Sequence, residues 1–237
     1  MTGEPRKARQ IARASVEFFV IVASILAAFG LDAWWDSRGE RDRVLARLRA
    51  LETELEATRE YIAYQRGLLE GVRAAVGDVL RHVSPEAPLL TPDSLNTLVE
   101  LSFEIGSIEL QGRAPQTMES AGDVAALGDA ELTRLLASWP IAMAEVRTWS
   151  ALLDGNRELI LDYLHGRYST LDIAQKTGMM ARYPKSSFEA STATVQRDRR
   201  VEGLFGNRGM LIENMDMRLE RLDLLAGELL TSIRRSR

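Results

Sequence analysis

VLARLRALETELEATREYIAYQRGLLEGVRAAVGDVLRHV, residues 44–83, carries apolar side chains at Val44, Leu48, Leu51, Leu55, Ile62, Leu69, Val72, Val76, Val79 and Val83. The steps between them alternate four and three, and only Thr58 and Gln65 interrupt the apolar series. A seam held for nearly six heptads is the pattern of an α-helix packed lengthwise on other helices. No proline occurs from Asp36 to His82, and Leu, Ala, Arg and Glu, all good helix formers, dominate. One long helix is predicted over that range. Gly67, Gly71 and Gly77 weaken its distal half by up to ~1 kcal/mol each relative to alanine. Two packings satisfy the seam: the helix folds onto its own domain, or it pairs with a second copy as a homodimeric coiled coil.

Toward the N-terminus the chain changes character. Phe18 to Leu31 contains no charged residue; Arg6, Lys7, Arg9 and Arg13 precede it, and Asp32-Ala-Trp-Trp-Asp36 follows. A membrane-spanning helix needs roughly 20 mainly apolar residues, which the stretch from Ala14 to Trp35 supplies. Glu17 and Asp32 fall near its ends, where carboxylates reach headgroups and water, and Trp34-Trp35 suit the interfacial aromatic belt. The expected organisation is a basic tail over residues 1–13, a transmembrane anchor over 14–35 and a helical bundle domain over 36–237. A cleaved signal peptide and a helix buried in a soluble fold are the rival readings. The seam stepped backwards meets Trp34, Gly30, Ala27 and Ala23, and small residues at that spacing let helices approach closely in lipid. Glu17, Ala23, Ala27, Gly30, Trp34 and Trp35 are thus the expected anchor residues. The short basic tail favours a cytoplasmic N-terminus with the domain outside, although Arg38, Arg41, Arg43, Arg47 and Arg49 crowd the far flank.

Beyond the long helix, Pro85, Pro88 and Pro92 mark a break. Thr91 followed by Pro92 is an N-cap with a first-turn proline, predicting a short helix over about Asp93–Phe103. Ile105–Gly112 reads as loop or helix end, and a second short helix is expected near Pro115–Thr117. Asp129 caps a long segment reaching about Gly166, in which Pro140 should kink or divide the helix. Trp139 and Trp149 on its apolar stripe are core candidates. Gly166 to Arg200 lacks a period. It carries Lys176, Arg182, Lys185, Arg197, Arg199 and Arg200 with Tyr168, Tyr183 and Phe188 between them, which fits either a solvated connection or a contact for an anion or an acidic partner. The last helix, about Val201–Ile233, has an unbroken seam at Ile212, Met215, Leu219, Leu222, Ala226, Leu229 and Ile233. An all-α fold follows: an elongated four-helix-type bundle whose first helix continues from the anchor.

The chemistry is sparse. With no cysteine there is neither a thiol nucleophile nor a thiolate metal site, and the two histidines, His82 and His165, share no metal-ligand spacing. The nucleophile elbow, the P-loop and the dinucleotide fingerprint are absent. A net charge of −4 gives no reason to expect nucleic acid. No catalytic residue, metal site or cofactor is assigned. The expected partners are the lipid bilayer and a second copy or another protein. The leading expectation is a membrane-anchored helical interaction or sensory module. The alternative is a ligand-binding or enzymatic bundle with a pocket between its helices.

The opening string Glu17-Phe-Phe-Val-Ile-Val-Ala-Ser-Ile-Leu-Ala-Ala-Phe-Gly-Leu-Asp-Ala-Trp-Trp-Asp-Ser-Arg-Gly-Glu-Arg41 resembles the start of an uncharacterised group of bacterial single-pass proteins. In that group a Glu-led span ends in a Trp- or Asn-rich turn and enters an Arg/Glu-rich helix. Thr117-Met-Glu-Ser-Ala-Gly-Asp-Val-Ala-Ala-Leu-Gly-Asp-Ala-Glu-Leu132 is similar to a central stretch of the same group. The likeness covers about a quarter of the chain and departs from the group at Trp139-Pro140. It implies an inner-membrane anchor with a helical domain, and it brings no activity or site residues.

Overall fold

In the computed structural model the backbone is described for residues 4–105, 108, 110, 129–176, 180, 182–188 and 191–236. Side chains are described for the same residues except 4–21, 23, 32, 33, 36, 37, 40, 41 and 176. The expected short helix near Pro115–Thr117 lies outside the described residues.

Helix α1 runs without a break over Glu4–His82. It is followed by α2 (Pro92–Leu101), α3 (Ala130–His165), α4 (Thr170–Lys176), α5 (Thr192–Gln196) and α6 (Arg199–Arg235). Among the described residues there is no strand, so the all-α expectation stands. The chain divides into two compact units, Met1–Ala50 and Leu51–Arg237, with α1 belonging to both.

In the second unit the distal part of α1 packs along α6, which in turn packs on α3. Leu51, Leu55, Ile62, Leu69, Val72, Val76, Val79 and Val83 are all buried, and the seam-breakers Thr58 and Gln65 are buried with them. Ion pairs set α1 and α6 antiparallel. Arg234 reaches Glu52 and Glu56 at 3.0 and 2.8 Å, Arg59 reaches Asp223 at 2.7 Å, Arg66 reaches Asp216 at 2.6 Å, and Arg73 reaches Glu213 at 2.6 Å. Partner numbers fall along α6 as they rise along α1. Arg59, Arg66 and Arg73 recur every seventh residue, so a one-heptad slip would still find acids for most of them. The same slip would carry Arg234 away from Glu52 and Glu56, which sharpens the register. Each exposed pair is worth only ~0–1 kcal/mol, so the ladder selects alignment more than it stabilises. The α6 seam from Ile212 to Ile233 is fully buried. From Leu51 to Val83 and from Ile212 to Ile233 the two seams are therefore buried within this unit.

Helix α3 also lies antiparallel to α6. Glu145 meets Arg218 and Arg221 at 3.4 Å, and the Asn156 amide donates to the Leu204 carbonyl at 3.4 Å. At its start the Asp129 carboxylate accepts from Leu132 N–H at 3.0 Å and from the Ser236 hydroxyl at 2.7 Å, tying the end of α6 to the cap of α3. Pro140 lies inside α3 and does not divide it. Leu136, Trp139 and Met143 are buried on either side of the proline, and their packing holds the two halves in one helix.

The long helices number three among the described residues. The segment after α2 buries Ile105, Ile108 and Leu110, and Ile108 N–H donates to the Ser150 hydroxyl at 2.9 Å. Between Gly166 and Arg200 the described residues include the two short helices α4 and α5. Helices of seven and five residues are too short to display a period, yet Ile173, Thr192, Val195 and Gln196 are buried there.

Candidate functional site

Two regions hold the residues singled out by sequence. The first is the N-terminal part of α1. Every residue from Ser24 to Leu31 is exposed, and eight consecutive helical positions cover all faces of the helix. Leu26, Phe29 and Leu31 are 65%, 68% and 59% exposed, and Ile25, Trp34 and Trp35 are exposed as well. Fully burying an exposed side chain of this kind gains about 1.5–3 kcal/mol, so covering what Ile25, Leu26, Phe29 and Leu31 still expose gains together roughly 4–7 kcal/mol in an apolar surrounding. A helix apolar on all sides belongs in a protein core or in lipid. Trp34 and Trp35 meet edge to face at 5.4 Å, and the Arg38 guanidinium lies 5.4 Å from the Trp34 ring centre. The aromatic pair thus passes directly into the basic flank. Ala27 and Gly30 are exposed, and a Cβ added at Gly30 would meet nothing within 4 Å. The side chains of Glu17 and Ala23 lie outside the described residues. Among the described residues no helix is long and apolar enough to cross a membrane; in the first part of the expected span, 14–21, only the backbone is described.

The second region surrounds the end of α3. Tyr163 is sandwiched by two guanidiniums, Arg167 at 4.1 Å and Arg200 at 4.5 Å from its ring centre, and its hydroxyl donates to the Asp198 carboxylate. Asp198 also caps α6 by accepting from Arg200 N–H at 2.8 Å. The hydrogen bond from Tyr163, then the Arg200 N–H and the two arginine charges, hold the Asp198 carboxyl below its usual range against the opposing effect of burial. The same hydrogen bond, with desolvation, raises the Tyr163 hydroxyl. Of the six predicted basic residues, Arg200 is thereby committed to structure. Arg182, Lys185, Arg197 and Arg199 are exposed, and the Lys176 side chain lies outside the described residues.

Lys185 lines a cavity of about 700 Å³ together with His165, Arg167, Tyr168 and Phe188. Arg182, Arg197, Arg199 and Arg200 do not line it, so the six do not form one site. His82, the other histidine, contacts the Asp78 carbonyl through Nδ1 at 2.9 Å and serves the helix end. Among the described residues no group of three His, Asp or Glu side chains is placed to hold a metal.

Sequence reasoning missed two buried polar hubs. Gln196 on α5 is wholly buried; its Oε1 accepts from Leu90 N–H at 2.8 Å, and its Nε2 donates to the carbonyls of His82 and Pro88 at 3.1 and 3.2 Å. Arg208 on α6 is 1% exposed and donates to the Ser102 carbonyl at 2.6 Å, the Leu153 carbonyl at 3.3 Å and Asn156 Oδ1 at 3.4 Å. Its guanidinium lies 4.8 Å from the centre of the Phe103 ring. The α6 seam held the signal: extended backwards from Ile212 it steps to Arg208, Phe205 and Val201, which puts an arginine at a core position.

No family model matches the chain, and no match is found among curated proteins or solved structures.

Proposed function

We propose that this chain is a single-pass, membrane-anchored helical module that acts through helix packing with itself or with a protein partner. Residues 14–35 lie in the bacterial inner membrane, the basic tail over 1–13 is cytoplasmic, and the domain over 36–237 faces the periplasm. The observation that carries the reading is the run of exposed apolar side chains on every face of α1 from Ile25 to Leu31, ending in Trp34, Trp35 and Arg38. Lipid satisfies such a surface and water does not. The resemblance of Glu17–Arg41 to the bacterial single-pass group supports the same placement. Apolar side chains still exposed on the bundle include Met210, Met217 and Leu224, spaced one heptad apart on α6. They lie outside the buried seam and supply a surface for packing.

The cysteine-free chain makes the topology directly testable. Thr2→Cys and the exposed Ala57→Cys, made singly, are treated with a membrane-impermeant maleimide in intact spheroplasts. Ala57→Cys is expected to label, and Thr2→Cys only after lysis. Labelling of Thr2→Cys in intact cells, or protection of Ala57→Cys, would refute the orientation.

A further inference from the structure

The cavity beside α4 differs in its chemistry from the two beside Arg59, both of which Asp223 lines. Its walls present Arg167, Lys185 and His165, while among the described residues no aspartate or glutamate lines it. Hydroxyls of Ser169, Thr170 and Ser187 add neutral donors, and Leu171, Pro184 and Phe188 supply apolar surface. Its volume of about 700 Å³ is in the range of small-molecule sites.

The walls are held in place from within the unit. Asp172 accepts from Ser186 N–H at 3.0 Å, and the Gln175 amide donates to the carbonyls of Tyr183 and Pro184 at 2.9 and 3.0 Å. The segment carrying Lys185 and Phe188 is thereby pinned against α4. At the end of α3, Arg167 is set by its stacking on Tyr163 and by donating to the Tyr163 carbonyl at 3.2 Å. Two carboxylates stand near without lining the cavity: Asp198, which feels the charges of Arg167 and Arg200, and Asp172, which is engaged by Ser186 N–H; the cationic side chains Arg167 and Lys185 do line it. Phe188 is 84% exposed. An aromatic ring left that open beside cationic donors suits a ligand with one apolar end and one anionic end.

We propose that this cavity binds a small organic oxyanion, its phosphate or carboxylate toward Lys185 and Arg167 and its apolar body against Phe188 and Pro184. The site lies wholly within residues 51–237, so its failure would leave the membrane-anchor reading intact, and the reverse holds as well.

The test is calorimetric titration of the detergent-solubilised full chain with phenyl phosphate, alongside inorganic phosphate and phenol. Saturable binding at one site per chain is expected for phenyl phosphate. Inorganic phosphate should bind at least about tenfold more weakly, and phenol should give no saturable heat. Lys185→Glu and Phe188→Ser alter exposed side chains and should each weaken phenyl phosphate at least about tenfold with the helical circular dichroism unchanged. Absence of saturation at millimolar phenyl phosphate would overturn the proposal. So would equal affinity in Lys185→Glu, or inorganic phosphate binding as tightly as phenyl phosphate.

Discussion

Replacing Gln196 probes how the distal end of the bundle is closed. With two carbonyls on one side of its amide and an N–H on the other, only one orientation satisfies all three partners. Gln196→Leu removes every one of these bonds while roughly keeping the volume. The His82 carbonyl retains Ser84 N–H at 3.2 Å, so the groups left without a partner are Leu90 N–H and the Pro88 carbonyl. An unsatisfied buried group costs about 1–3 kcal/mol, and since both sit near the surface the low end applies. The expected loss is therefore about 2–3 kcal/mol. Gln196→Glu is the sharper variant, because it keeps the acceptor for Leu90 but turns a carboxylate oxygen toward two carbonyls. An uncompensated buried charge costs about 3–5 kcal/mol, more than leucine does. Such a glutamate would have its folded pKa raised. Its contribution to stability is then fully present below the unfolded value of about 4.3 and lost as pH rises through the folded one. Urea denaturation of the solubilised full chain, followed by far-UV circular dichroism, reads all of this. The reasoning is refuted if Gln196→Leu costs less than about 0.5 kcal/mol, or if Gln196→Glu shows no recovery relative to leucine as pH falls toward 4.

Three further outcomes are expected. Burial, aided by the charge of Arg157, pushes the Arg208 guanidinium down to about 10, so the charge is costly where it stands. Arg208→Met relieves that charge but deprives the buried Ser102 carbonyl and Asn156 Oδ1 of this donor, so it should lose about 1–3 kcal/mol, and Arg208→Ala, which also opens a cavity, about 3 kcal/mol more in the same denaturation assay; equal losses would show that cavity formation is not the deciding factor. Asp129→Ala should cost about 1 kcal/mol as a lost N-cap. The Leu132 N–H and Ser236 hydroxyl hold the Asp129 carboxyl below its usual range. Its contribution is present above the unfolded pKa of about 3.9 and lost as pH falls through the folded one, so wild type and variant should converge in acid. Burial, with the charge of Asp172, raises the Tyr168 hydroxyl to about 12. That stability is complete below the unfolded value of about 10 and lost as pH rises through the folded one. Tyr168→Phe should therefore remove an ultraviolet titration step near pH 12.

The heptad seams were legible because each seam position follows from its neighbours by a local rule, whatever it packs against. That rule places Leu51 to Val83 and Ile212 to Ile233 in the core, and it covers Thr58 and Gln65, whose polar ends do not move them off the seam. Caps read equally well: Thr91 and Asp129 each accept from the backbone N–H expected of them. Gln196 and Arg208 were illegible as hubs because their partners lie 106–114 and 52–106 residues away, and no local pattern records that. The cavity escaped for the same reason. Of the basic residues picked out between Gly166 and Arg200, Lys185 lines it, whereas Arg167, which lines it too, belongs to the turn that ends α3.

The anchoring claim meets its most direct test in alkaline carbonate extraction of membranes containing the full chain. Leu26→Glu/Phe29→Glu serves as comparison, since both side chains are exposed and neither supports the bundle. The wild-type chain should stay with the lipid pellet and the double variant should shift to the supernatant while still helical. Release of the wild-type chain by carbonate, or retention of the double variant equal to it, would contradict the account.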